Sequence, residues 1–200
     1  IANKKLPFFL PCLILFSLPE FFLHAGVVST DVSLSFSIML IMISFWKISE
    51  KRSLIWESLF IVGIAMGLLS KGPISIVLTF PPLFLWGLRF RLPIRTLFRI
   101  SWIFGILLAL PWYFLIEKKS PGFTNYFIVG EHFLRFIDSS WAGDKYGFPK
   151  QQPYGIIWIF LILGTIPWIF SLLKKLIKNF TSIWDNKWEF FLWSWLLWTP

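Results

Sequence analysis

Apolar residues run along this chain in long blocks, separated by short polar or basic connections. A hydrocarbon core about 30 Å thick needs ~20 helical residues at ~1.5 Å each, and fewer where the bilayer is thin. Seven stretches meet that requirement: Leu6–Leu23, Val32–Lys47, Leu54–Leu69, Ile74–Leu88, Ile100–Ile116, Gly155–Leu173 and a truncated last one over 188–200. Pro7, Pro11 and Pro19 interrupt the first. Prolines are tolerated in membrane helices where neighbours satisfy the freed carbonyls. The pattern predicts an all-α, polytopic transmembrane bundle.

Composition supports that reading. Hydrophobic residues make up 56% of the chain, charged residues 14%, and the mean hydropathy is +0.71. A soluble domain carries about 25% charged residues. The 24 Phe and 13 Trp exceed what one water-excluding core of this size would hide, whereas lipid solvates them. Cys12 is the only cysteine, so no internal disulfide forms. The sequence starts at Ile1 and stops at Pro200 inside an apolar run, and is read as an internal piece of a longer chain with no visible signal or transit peptide.

Charge sets the expected orientation. With Lys4 and Lys5 placed inside, the connections 47–52, 89–99 and 174–187 also fall inside, and 13 of the 19 basic residues lie on that side. The outer side then balances six basic against six acidic residues, while the inner side holds the whole net charge of +9. This is the positive-inside asymmetry. It accounts for the basic pI without invoking nucleic acid.

The outer side carries two short turns, 24–31 and 70–74, and one long loop, 117–154. Long loops of this kind are often functional. After Ser120-Pro121-Gly122, apolar residues fall at Phe123, Tyr126, Phe127, Phe133, Leu134 and Ile137. That spacing predicts an amphipathic helix of period 3.6 lying at the membrane surface, with Asn125, Glu131, His132, Arg135 and Asp138 on its polar face. The Gly- and Pro-rich stretch 141–155 reads as a shaped lid.

Three constellations carry candidate chemistry. Asp31, entering the second span, is either a helix cap or a carboxylate facing a sugar or an acceptor. Lys71, in Ser70-Lys71-Gly72-Pro73, either snorkels to lipid phosphate or holds a bound phosphate beside a tight turn. Glu131 and Arg135 stand at i, i+4 and could be a surface ion pair, with His132 an interfacial histidine, a proton shuttle or a ligand. Gly63-x-x-x-Gly67 reads as helix packing.

Together these motifs resemble one family. Gly67-Leu68-Leu69-Ser70-Lys71-Gly72-Pro73 is similar to the "G-L-x-[ST]-K-G-P" turn of bacterial polyprenyl-phosphate-dependent glycosyltransferases. Pro111-Trp112-Tyr113, Pro121-Gly122-Phe123, Tyr126-Phe127, Glu131-His132 and Arg135-Phe136 follow in the order and spacing of that family's next block, and Thr30-Asp31 resembles its span-opening "TD". The family includes the lipid A aminoarabinose transferases and protein mannosyltransferases, with the membrane-embedded GT-C fold. The stretch Lys150-Gln151-Gln152-Pro153-Tyr154-Gly155 departs from the family's aromatic pattern there, which bears on sugar or acceptor preference.

The resemblance implies an enzyme of the bacterial inner membrane. It would move a sugar from a polyprenyl-phosphate donor to a lipid A-like or protein acceptor on the periplasmic side. It implies a site with Asp31 as a catalytic carboxylate, and Lys71, Arg135, Glu131, Tyr126 and Tyr154 around the substrates. It places His132 near an acidic residue of a preceding loop, where a divalent metal ion could bind, and puts the leading catalytic carboxylate in that loop. A Phe- and Trp-rich groove suits the polyprenyl tail, and Lys71 and Arg135 suit its phosphate. The competing reading is a secondary transporter or lipid flippase. Such proteins favour inverted repeats and mid-membrane charges, whereas here the charges cluster at span ends.

Overall fold

The computed structural model describes residues 9–19, 21, 23, 30–134, 137 and 155–198, and every regular element among them is helical. In chain order these are α1 (Phe9–Phe16), α2 (Thr30–Glu50), α3 (Leu54–Lys71), α4 (Ile74–Arg89), α5 (Ile94–Leu97), α6 (Ile100–Lys119), a π-helix (Asn125–Leu134), α7 (Ile156–Gly164), α8 (Ile169–Ile183) and α9 (Lys187–Trp198). Among the described residues, α2, α3 and the 94–119 run are long and apolar enough to cross a membrane. The chain is a membrane helix bundle, divided into two compact units.

The larger unit spans 30–151 and 190–199. Its centre is apolar: Ile41, Met42 and Phe45 of α2, Phe60 and Ile64 of α3, Leu83 and Trp86 of α4, and Phe191 of α9 are almost fully buried. Large rings interlock there, with Trp86 edge-on to Phe45 and to Phe191 at 6.2 and 5.3 Å between centroids.

Helix α6 shows what surrounds the unit. It buries only Ser101, Gly105 and Ala109, one every four residues, and turns Ile103, Phe104, Leu107, Leu108, Phe114 and Leu115 outward. Small residues inside and large apolar residues outside suit a helix that packs by close backbone approach and faces lipid. A Cβ on Gly105 would stand 2.6 Å from Cβ of Ile64, so α6 can lie this close to α3 only with glycine there. Gly63 and Gly67 do the same on α3. A Cβ at Gly67 would meet Cβ of Ser75 at 2.6 Å, and one at Gly63 would meet Cγ1 of Ile41 at 3.0 Å. The expected packing role of this glycine pair holds.

The smaller unit contains α1, α7, α8 and the start of α9. The stretch expected as one span over Gly155–Leu173 is two helices, and their axes bend by 110° between Trp158–Gly164 and Ile169–Lys178. Pro167 lies at the break; it offers no N–H to continue the ladder, and its ring crowds the preceding turn. Beyond it, α8 continues through Lys174, Lys175 and Lys178 to Ile183, so most of the connection expected over 174–187 is helical. Trp168 donates its indole N–H to the Ser17 hydroxyl at 2.7 Å.

Candidate functional site

The site lies at one end of the larger unit, where α2 begins, α3 ends and the π-helix crosses. Asp31 occupies the first turn of α2 and Lys71 the last turn of α3. Forty residues apart in sequence, they form an ion pair, with the Lys71 ammonium donating to Oδ1 of Asp31. Both are open to the surroundings, their side chains 38% and 52% exposed. Beside them the Ser33 and Ser70 hydroxyls are 2.8 Å apart, a second tie between the two helix ends.

The turn after Lys71 is shaped for contact. Gly72 has φ +66°, which side-chain-bearing residues rarely adopt, and its N–H donates to the Leu68 carbonyl at 2.9 Å. A Cβ at Gly72 would lie 2.8 Å from the Phe127 ring and 3.1 Å from Cε1 of His132. Glycine is therefore needed twice, for the backbone angle and for the approach of the π-helix.

Aromatic rings carry the π-helix onto this turn. Phe123 stacks on Phe127 at 5.5 Å and meets Trp112 edge-on at 5.7 Å, and Tyr113 lies 6.3 Å from Phe127. Phe127 in turn meets the His132 ring edge-on at 5.1 Å. Tyr113 donates its hydroxyl to the Leu68 carbonyl at 2.6 Å, fixing α6 to the end of α3. Glu117 shapes the approach by accepting the N–H groups of Gly122 and Thr124 at 2.7 and 2.8 Å.

These contacts join motifs that lie apart in the sequence, and all of those residues except His132 fall within the stretch that a family profile matches. The profile of the dolichyl-phosphate-mannose-protein mannosyltransferases matches residues 5–127. The chain belongs to that family. It is also 28% identical over 142 residues to the undecaprenyl phosphate-alpha-4-amino-4-deoxy-L-arabinose arabinosyl transferase of Yersinia pestis (strain Pestoides F), covering 68% of this chain and 24% of that one. To the enzyme of the same name from Wigglesworthia glossinidia brevipalpis it is 29% identical over 174 residues, 84% of this chain and 30% of that one. The chain thus spans a quarter to a third of the length of these relatives. No solved structure matches it.

The segment after α6 takes a form that the 3.6-residue pattern did not predict. Asn125–Leu134 is a π-helix, in which residues five apart share a face. Tyr126 and Glu131, expected on opposite faces, are therefore hydrogen-bonded, the Tyr126 hydroxyl donating to Oε1 of Glu131 at 2.6 Å. Phe123 and Phe127 face the bundle as expected, and His132 joins them. Arg135 and Tyr154, like all of 138–154, lie outside the described residues.

His132 is held on both sides. Its Nε2 is 2.6 Å from the Lys71 carbonyl oxygen, and its Nδ1 is 2.6 Å from the Phe127 carbonyl oxygen. Carbonyl oxygens only accept, so at least one ring nitrogen donates its N–H there. No group of three His, Cys, Asp or Glu gathers among the described residues. In this arrangement the imidazole ties the π-helix to the Lys71–Gly72 turn. The sequence reading also missed Tyr113 and Glu117 as fixing groups. The one available signal was their nearness to a Pro-Trp-Tyr run and a Ser-Pro-Gly turn.

Proposed function

We propose that this chain forms part of a membrane glycosyltransferase that moves a sugar from a polyprenyl-phosphate donor to a lipid A-like or protein acceptor. The Asp31–Lys71 pair beneath the π-helix is the observation that carries this reading. The family match and the names of the relatives support it.

In such a transfer the acceptor hydroxyl oxygen attacks the anomeric carbon. The bond from that carbon to the phosphate oxygen breaks, and polyprenyl phosphate leaves with the electron pair. Lys71 meets the charge that develops on the leaving phosphate. Asp31 takes the acceptor proton or orients its hydroxyl. An exposed ion pair is worth less than ~1 kcal/mol, so an incoming phosphate can draw Lys71 away from Asp31 at small cost. Tyr126, Glu131, Arg135 and Tyr154 surround the substrates, with Arg135 available to fork onto phosphate oxygens. His132 and Gly72 position the turn.

On this reading the protein has seven spans in a bacterial inner membrane, with 117–154 and the transfer site on the periplasmic side. The charge partition along the sequence supports that orientation. The test is sugar transfer in membranes carrying the protein, with and without added polyprenyl-phosphate sugar. Donor-dependent transfer, weakened in Lys71→Ala at limiting donor, is the expected result. Donor movement across the bilayer with no sugar transferred would replace the enzyme by a flippase.

A further inference from the structure

The opposite end of α3 holds a second polar site that the transfer reading does not use. Glu57 stands fourteen residues before Lys71 on the same helix, roughly 21 Å along its axis at ~1.5 Å per residue. A cleft of about 630 Å³ opens there, lined by Arg52, Arg95, Arg99 and Glu57. Three cations face one carboxylate, and that carboxylate is committed. Arg99 forks onto Glu57, with Nη2 on Oε1 and Nε on Oε2 at 3.3 Å. The Ser101 hydroxyl completes the set at 2.5 Å from Oε2.

Arg52 and Arg95 line the same cleft, are exposed, and form no ion pair among the described residues. The cleft therefore presents two uncompensated guanidinium groups, which match phosphate oxygens in charge and geometry. Apart from Ser53 and Ser101, its remaining walls are apolar. Phe98, Ile100 and Phe104 are at least half exposed, and they continue into the outward-facing apolar side of α6. A free anion would make no use of those walls, whereas a phospholipid lays its acyl chains along them.

We propose that this cleft binds the phosphate head group of an anionic membrane phospholipid, with Arg52 and Arg95 as the contacting cations and the Glu57–Arg99–Ser101 cluster holding the cleft open. The site is separate from the Asp31–Lys71 end and independent of sugar transfer.

The test uses the purified protein in lipid nanodiscs of phosphatidylcholine with a minor fraction of phosphatidylglycerol, reading retained lipids by native mass spectrometry. The wild-type protein retains phosphatidylglycerol preferentially. Arg52→Gln with Arg95→Gln lowers that preference on the order of tenfold, since each basic group near the surface contributes ~1 kcal/mol. Lys51→Gln with Arg91→Gln removes the same charge outside the cleft lining and leaves the preference in place. Equal loss in both double variants would reduce the effect to general surface attraction and overturn the site. So would an unchanged preference in the cleft variant, or displacement of the lipid by excess inorganic phosphate. Circular dichroism melts confirm that each variant folds, as expected for exposed arginines.

Discussion

The imidazole of His132 reaches across from the π-helix to the Lys71 carbonyl, 2.6 Å from Nε2, so one side chain ties the π-helix to the residue that ion-pairs Asp31. His132→Ala removes this tie and the bond to Phe127. Expected transfer falls at least tenfold, the order of one or two hydrogen bonds at ~1 kcal/mol each plus a lost ring contact. The metal content of the purified protein, read by elemental mass spectrometry, is the same in both forms. A metal signal lost with His132 would make it a ligand.

The Asp31–Lys71 pair predicts a separation of activity from stability. Lys71→Ala raises the apparent donor KM by about tenfold to a hundredfold, the value of one charge-assisted hydrogen bond. Asp31→Asn lowers kcat instead. Neither shifts unfolding by more than ~1 kcal/mol, because both side chains are open to the surroundings. Steady-state transfer kinetics alongside denaturant melts in detergent check both halves. Full activity with unchanged donor dependence in Lys71→Ala would make this lysine a lipid anchor.

Gly72 is expected to resist even a methyl group. Gly72→Ala forces a side chain onto φ +66° and into the Phe127 ring 2.8 Å away. Backbone strain of this kind costs about 1–3 kcal/mol. A lowered melting temperature with reduced transfer is the expected outcome, and a wild-type melt would show that the turn relaxes freely.

The π-helix makes a prediction that an α-helix would not. Tyr126→Phe and Glu131→Ala should be coupled, since the first removes the donor and the second the acceptor of the same 2.6 Å bond. A double-mutant cycle on stability should give an interaction of about 0.5–3 kcal/mol. Additive effects would place the two residues on different faces and return the segment to a 3.6-residue period.

Orientation is tested through the lone Cys12. With Cys12 replaced, a cysteine at Asp144 should react with an impermeant thiol reagent from the periplasmic side, and one at Arg91 should be protected. The reverse pattern would invert the proposed topology.

The sequence by itself determined that this is an all-helical membrane protein of this family. Long apolar blocks must satisfy their own backbone hydrogen bonds in lipid, and only helices or closed barrels do so. It also marked Asp31, Lys71, Tyr126, Glu131 and His132, because polar groups beside apolar spans are few and stand out. Pairing was not legible. Asp31 meets Lys71, Tyr113 meets Leu68 and Glu57 meets Arg99 across 40, 45 and 42 positions, and only helix packing sets such distances. The π-helix was also hidden, because Phe123, Phe127 and Phe133 are compatible with several periods and local spacing cannot choose among them. Contacts with Trp112, Tyr113 and Gly72 accompany the observed period, and that period turned Glu131 toward Tyr126 and His132 toward the Lys71 carbonyl.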